Sequence, residues 1–216
     1  MSSTSQRPVS AQRFITAIVA ATTNNGIGVN GGLPWRLPGE MKYFARVTTG
    51  EQPSTDPERQ NAVVMGRKTW ESIPTKFRPL KSRNNLVISR GGVDVSSSQN
   101  TSAHTSLPSA LGSLPPSTPR TFLIGGSQLY TTSLTSSPPL VNRVLLTRII
   151  SDQFNDRCDA FLEDFTSHTS EGKKLWRKCS IEELREWVGW EVQEENEEKG
   201  VRYRFEMWVL ADDPTS

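Results

Sequence analysis

The chain has 216 residues but only two cysteines and two histidines. Cys158 and Cys179 fall into no metal-binding or redox spacing and are expected to be reduced structural thiols of a cytoplasmic protein. His104 and His168 sit in Ser/Thr-rich stretches without partners. That argues against a metal centre and against a Ser-His-Asp triad. No apolar run reaches the ~18 residues needed to cross a bilayer, so no membrane role is expected. The opening MSSTSQRPVSAQR lacks the apolar core of a secretion signal. Charge is balanced too: 25 basic against 23 acidic residues make no overall field for nucleic acid, and no basic stripe replaces it. The length fits one domain with loops, or at most two small ones, and is enough to bury a core without disulfides.

What is present is an alternation of strand-like and helix-like segments. FITAIVAAT (14–22), NAVVMG (61–66), NNLVIS (84–89), TFLIGG (121–126) and RVLLTRII (143–150) read as strands. EMKYFARVT (40–48), KTWESI (68–73, stopped by Pro74) and SQLYTTSL (127–134) read as helices. The apolar runs within AVVM, LVI, FLI and VLL suit strands covered on both faces, hence a mainly parallel sheet. WVGWEVQEE (187–195) and VRYRFEMWVL (201–210) alternate and are split by the polar NEEKG, which predicts an antiparallel hairpin with an extended turn. The fold class expected is α/β: a mostly parallel central sheet of about eight strands, flanking helices and a C-terminal antiparallel hairpin. Residues 14–211 would form a single domain, with flexible tails at 1–13 and 212–216. Gly91–Pro119, Thr131–Asn142 and Thr166–Ser180 read as surface loops, the first containing SLPSALGSL as a short helix with Pro108 near its start.

The stretch GIGVNGGLPWRLPGEMKYF contains a G-x-G-x-x-G at Gly26, Gly28 and Gly31. A dinucleotide fingerprint must open a helix, but Pro34 and Pro38 forbid one directly after these glycines. They are either ordinary turn glycines or the joints of a mobile flap over a ligand. Better nucleotide signals lie at three strand ends. Gly125–Gly126 precedes a helix, where backbone can approach a diphosphate, although a tight turn alone would also need glycine. AVVMG delivers Arg67, Lys68 and Thr69 to a helix start, and LVIS ends in Ser89–Arg90. Two cations at a helix start are unfavourable without a nearby anion. No Asp or Glu stands there to grip an NAD ribose, so the cations favour the 2′-phosphate of NADP.

Glu40 falls in the first turn of its helix, with Phe44 and Val47 on the same face. One reading is a surface carboxylate complementing the helix N-terminus. The other is a desolvated acid with a raised pKa, able to assist protonation during hydride transfer.

IVAATTNNGIGVNGGLPWRLPGEMKYF, NAVVMGRKTWESIPTKFRPLKSRNNLVISR, FLIGGSQLY and LLTRI occur in order and together resemble dihydrofolate reductase of the fungal or animal kind. The resemblance runs from about Phe14 to Leu210, outside the three loops. It implies NADPH-dependent reduction of 7,8-dihydrofolate to tetrahydrofolate, serving one-carbon metabolism and thymidylate synthesis, and sensitivity to antifolate inhibitors. Glu40 matches the family's sole active-site acid, binding the pterin 2-amino group and N3 and promoting N5 protonation through water. Trp35 and Thr147 match the residues that order that water and hold the carboxylate, with Leu33 beside them. Val19, Ala20, Leu33, Met41, Phe44, Ile73, Leu80, Ile124 and Tyr130 match the lining of the pterin and benzoyl sites. Arg83 matches the arginine that grips the glutamate α-carboxylate. The cofactor would meet Ala20, Ile27, Gly28 and Gly31 on the flap side. Its diphosphate would lie at Gly125, Gly126, Ser127, Gln128, Leu129 and Tyr130. Gly66, Arg67, Lys68, Thr69, Ser89 and Arg90 match the 2′-phosphate region, with Ser106 toward the adenine. The adenosine-binding part would span roughly 56–125, and a monomer is expected.

Two positions depart from the animal pattern. Gly32 stands where those relatives carry Asp, and Met41 where they carry Phe, giving a more pliable pocket wall. Altered antifolate selectivity is expected, with the reaction unchanged. Rival readings are a pyrimidine reductase of riboflavin synthesis, which has no use for Arg83, and a nucleotide-binding module without turnover. An RNA-binding domain is disfavoured because the cations lack interleaved stacking aromatics.

Overall fold

The computed structural model describes residues 14–137 and 139–211; the tails expected at 1–13 and 212–216 lie outside them. Nine strands join one sheet: β1 (Ile15–Thr22), β2 (Ala62–Gly66), β3 (Asn84–Ile88), β4 (Thr101–His104), β5 (Thr121–Leu123), β6 (Val141–Ile149), β7 (Trp176–Lys178), β8 (Glu195–Glu198) and β9 (Val201–Leu210). Their order is β7-β9-β6-β1-β5-β2-β3-β4, with β8 also paired to β9. From β6 to β4 every pairing is parallel, whereas β9 runs antiparallel to β6, β7 and β8. The expected mostly parallel sheet with an antiparallel C-terminal edge is therefore present.

The parallel strands are apolar on both sides because both sides are covered. Ile18, Val63, Met65, Val87, Phe122 and Leu145 face one cluster, with helices α1 (Pro38–Thr49), α2 (Arg67–Ser72) and α5 (Ile181–Val188) packed on it. Ala17, Val64, Leu86, Leu123, Val144 and Leu146 face the other, covered by α3 (Leu107–Gly112) and α4 (Ser127–Thr135).

Four sequence readings need correction. The stretch 131–142 is not all loop: α4 runs on to Thr135 and β6 begins at Val141. The stretch 91–119 is not all loop: Thr101–His104 adds the edge strand β4 beside β3, and Leu107–Gly112 is the short helix expected there, capped by the Ser106 hydroxyl. Ser106 is thereby engaged with its own helix, bonding the N–H of Ser109. The stretch 166–180 contains β7 and ends at Ser180, which forms a reciprocal capping box with Glu183 and starts α5. The first arm of the C-terminal hairpin is also misplaced. Trp187–Val188 closes α5, Gly189 ends it in the left-handed conformation, and the paired strand is Glu195–Glu198. Its turn is not extended. Lys199 and Gly200 both have positive φ and form a two-residue connection.

Candidate active site

Helix α1 begins with Leu37 as N-cap and Pro38 in its first turn; Leu37 offers no side-chain cap. Its buried stripe holds Glu40, Tyr43, Val47 and Thr48. The apolar face expected at Glu40, Phe44 and Val47 is shifted by one position, with Tyr43 buried and Phe44 only partly so, and Glu40 lies on it with only 6 % of its surface exposed. Thr147 of β6 donates its hydroxyl to Glu40 Oε1 at 3.3 Å. In the sheet Thr147 stands beside Ala20 of β1 on one side and Phe205 of β9 on the other. Burial pushes the Glu40 carboxyl up from its ordinary 4.5 to about 7; the Thr147 bond opposes the rise and the Glu198 charge adds to it. The surface-carboxylate reading of Glu40 is thereby excluded. Trp35 is buried against the edge of Phe154, and its indole N–H has no hydrogen-bond partner among the described residues.

The other end of α1 meets a second buried charge. Arg83 is 7 % exposed. Its Nη1 donates to Thr48 Oγ1 at 2.6 Å and its Nε to the carbonyl of Lys81 at 2.9 Å. Among the described residues no carboxylate pairs with it. Burial lowers its pKa to about 10, so the guanidinium still carries its charge at neutral pH. Glu40 and Thr48, the hydroxyl partner of Arg83, are eight residues apart on one helix, a rise of roughly 12 Å along its axis.

Partly buried apolar side chains pack at this face of the sheet: Ala20, Phe44, Ile73, Leu80 and Ile124. Leu33 and Met41 stay 51 % and 47 % exposed, large apolar groups left in solvent beside the buried acid. Val19 belongs to the opposite cluster, because neighbouring strand residues point to opposite faces, and its side chain does not join those of Ile18 and Ala20. Tyr130 is also buried, its hydroxyl donating to the Ile18 carbonyl at 2.6 Å.

The glycine-bearing strand ends lie against one another. Ile88 pairs with Gly66, and the N–H of Gly66 donates to the carbonyl of Gly125 at 2.8 Å. A Cβ on Gly126 would lie 3.2 Å from Thr69 Oγ1, so glycine lets these ends close up. The Gly125–Gly126 peptide is cis. No side chain caps the first turn of α4, which begins at Ser127 and Gln128. Lys68 and Arg90 are exposed and form no ion pair among the described residues, whereas Arg67 is paired with Glu71 at 3.0 Å. Ser89 is buried and donates its hydroxyl to the Gly92 carbonyl at 2.8 Å, so its side chain is not free for a phosphate. Leu129 packs against the cluster covered by α3 and α4.

The glycine-rich segment is tethered rather than loose. Gly26–Gly28 pairs with Ala160–Phe161, and the backbone of Asn30 donates to Asp159 Oδ2 at 2.8 Å. Ile27 packs on the sheet, while Asn30 and Gly31 turn with positive φ.

One residue of the site escaped sequence reasoning. Glu198, at the end of β8, accepts hydrogen bonds from the N–H groups of Gly39, at 2.9 Å, and Glu40, at 3.3 Å. It supplies the cap that Leu37 lacks. Its partners lie 158 and 159 residues earlier in the chain, beyond any local pattern.

The family model described as dihydrofolate reductase matches residues 14–186. The chain is 58 % identical to dihydrofolate reductase of Cryptococcus neoformans var. neoformans serotype D, over 91 % of this chain and 94 % of that one. It is 38 % identical to dihydrofolate reductase of Pneumocystis carinii, over 92 % and 97 % of the two chains. It is also 43 % identical to a bifunctional dihydrofolate reductase-thymidylate synthase of Daucus carota, over 70 % of this chain and 28 % of that protein.

Proposed function

The chain belongs to the dihydrofolate reductase family, and from that premise we propose that it reduces 7,8-dihydrofolate to 5,6,7,8-tetrahydrofolate with NADPH. The observation that carries the reading is the combination of a buried, protonatable Glu40 at one end of α1 with a buried Arg83 at the other, which pairs with no carboxylate among the described residues. A pterin offers a 2-amino group and N3 to one end, and the substrate's glutamate offers a carboxylate to the other. A buried charge without an opposite charge is unfavourable, so Arg83 is poised to gain from an anion.

The residues present fit NADPH. The uncapped start of α4 beside Gly125–Gly126 suits a diphosphate, and Lys68 and Arg90 suit a 2′-phosphate, Arg67 being able to join once released from Glu71. When bound, NADPH supplies the hydride that is added to pterin C6. Glu40 then has two tasks. Its carboxyl orients the pterin through the 2-amino group and N3, and its proton, held near neutral pH by burial, is available to N5 by way of water. The unpartnered indole N–H of Trp35 offers a donor for that water, and the Thr147 hydroxyl fixes the carboxylate. A cytoplasmic location is part of the reading, supported by two free cysteines; a monomer is its default assembly.

The test is NADPH consumption, followed by absorbance, with dihydrofolate as acceptor. Methotrexate-sensitive consumption is expected. NADPH binding without consumption would instead indicate a binding module. Turnover with a ribityl-pyrimidine but not with dihydrofolate would indicate a pyrimidine reductase.

A further inference from the structure

Helix α1 carries the acid but does not cap itself, and its first turn is held from outside. The Glu198 carboxylate meets the Gly39 N–H with both oxygens at 2.9 Å and the Glu40 N–H with one at 3.3 Å. The Tyr203 hydroxyl donates to the same carboxylate from the neighbouring strand. Three features fix this clamp in place. The two-residue turn at Lys199–Gly200 sets the end of β8. The Tyr203 ring stands edge-on to Phe205, which stacks on Tyr43 of α1 with centroids 3.8 Å apart. Finally, a Cβ on Gly39 would lie 2.5 Å from Glu198 Oε1 and 3.0 Å from Tyr203 Oη, so this approach requires glycine.

We propose that Glu198 is a positioning residue for the reductase reaction: its carboxylate pins the first turn of α1 and so sets both the placement of Glu40 and the charge it feels. The inference rests on the proposed role of Glu40. Its physical basis is twofold. An acceptor at the N-terminus satisfies orphan N–H groups and stops the first turn from fraying. A second negative charge close to Glu40 disfavours ionisation of Glu40. Glu198 itself stays charged: partial burial raises its pKa, but the Tyr203 hydroxyl and the two N–H groups outweigh that and hold it below the ordinary value.

The groups facing Glu40 are few. They are the Thr147 hydroxyl from β6, Glu198 and Tyr203 from the hairpin, Tyr43 from its own helix and Tyr130 from α4. Lys199 acts on Glu198 across the turn. No Lys, Arg or His forms an ion pair with Glu40 or Glu198 among the described residues. Removing the Glu198 charge therefore lowers the pKa of Glu40, alongside that of Tyr203, whose hydroxyl donates to Glu198.

The experiment compares Glu198→Gln, Glu198→Ala and Gly39→Ala with wild type in the full chain. Two readouts are taken: kcat and KM as functions of pH, and carbon NMR titration of the Glu40 carboxyl in the protein alone. Glu198→Gln keeps an acceptor without the charge. It should lower the Glu40 midpoint with kcat within about threefold of wild type. Glu198→Ala should lower the midpoint and also cut kcat roughly tenfold, because the acid loses its fixed placement. Gly39→Ala should reproduce the kcat loss, and adding it to Glu198→Ala should cost little more. A purely structural role predicts lower thermal stability with an unmoved Glu40 midpoint. That result in folded Glu198→Gln and Glu198→Ala proteins would overturn the proposal. The titration does not depend on turnover. A wild type inactive with dihydrofolate would sink the functional reading while the midpoints still judged the clamp.

Discussion

The two ends of α1 bury opposite charges, and burial acts on them differently. At the N-terminal end it moves the Glu40 carboxyl to about 7, into the range where a proton can be held and released. At the C-terminal end the same penalty brings the Arg83 guanidinium only to about 10, leaving a fixed charge. Each is steadied by one threonine, Thr147 on the sheet and Thr48 on the helix. One end is therefore suited to chemistry and the other to grip, with the helix between them as a ruler.

The strongest way to break this division is Glu40→Gln. It should lower turnover near neutral pH by about 100-fold or more while NADPH binding survives; turnover within threefold of wild type would remove the acid from the mechanism. The same variant tests linkage. The folded-state pKa of Glu40 is raised, so the folded protein holds its proton more tightly than the unfolded chain between about 4.5 and 7. The stability linked to that proton is fully present at low pH and is lost as pH rises through 7. Glu40→Gln should thus be more stable than wild type at pH 8, by a margin on the order of 3 kcal/mol, and gain little at pH 4. Thermal unfolding at the two pH values checks this.

At the gripping end, Arg83→Leu should raise KM for dihydrofolate roughly 10- to 100-fold, as expected for a lost charge-assisted pair, and change kcat far less. Equal losses in both constants would mean that Arg83 acts in the transition state. Smaller effects should follow from the steadying threonines. Thr147→Val removes a bond to the charged carboxylate, so the midpoint of the pH–rate profile should rise and kcat fall a few-fold. Thr48→Val should raise KM a few-fold with no change in that midpoint. A shifted midpoint in Thr48→Val would blur the distinction between the ends.

The parallel strands could be read from the sequence because burial on both faces writes itself as continuous apolar runs, as in Ala62–Met65. Edges could not. β4 is the polar TSAH, held on one side only, and β8 is ENEE, whose pairing is decided by β9 and a two-residue turn. Helix α5 carried its signature in Ser180 and Glu183, but the alternating WVGWEV at its end resembled a strand. The site divides in the same way. Glu40 was legible because its helix face is local. Strand alternation sends the Val19 side chain to the other cluster, the one that also holds Tyr130, and the local apolar run does not show which face a given residue takes. Ser89 looked available until its turn closed on the Gly92 carbonyl. Glu198 was hidden because a cap supplied from the far end of the chain leaves no trace beside the helix it caps.

The most direct measurement is the ionisation of Glu40 itself, followed by carbon NMR across pH in the unliganded protein and identified as the carboxyl resonance missing from Glu40→Gln. The desolvated acid described here should titrate with a midpoint near the value of about 7 set by its burial. A midpoint at the ordinary 4.5 would contradict it, because Glu40 would then be a fully ionised bystander at the pH where the enzyme is proposed to work.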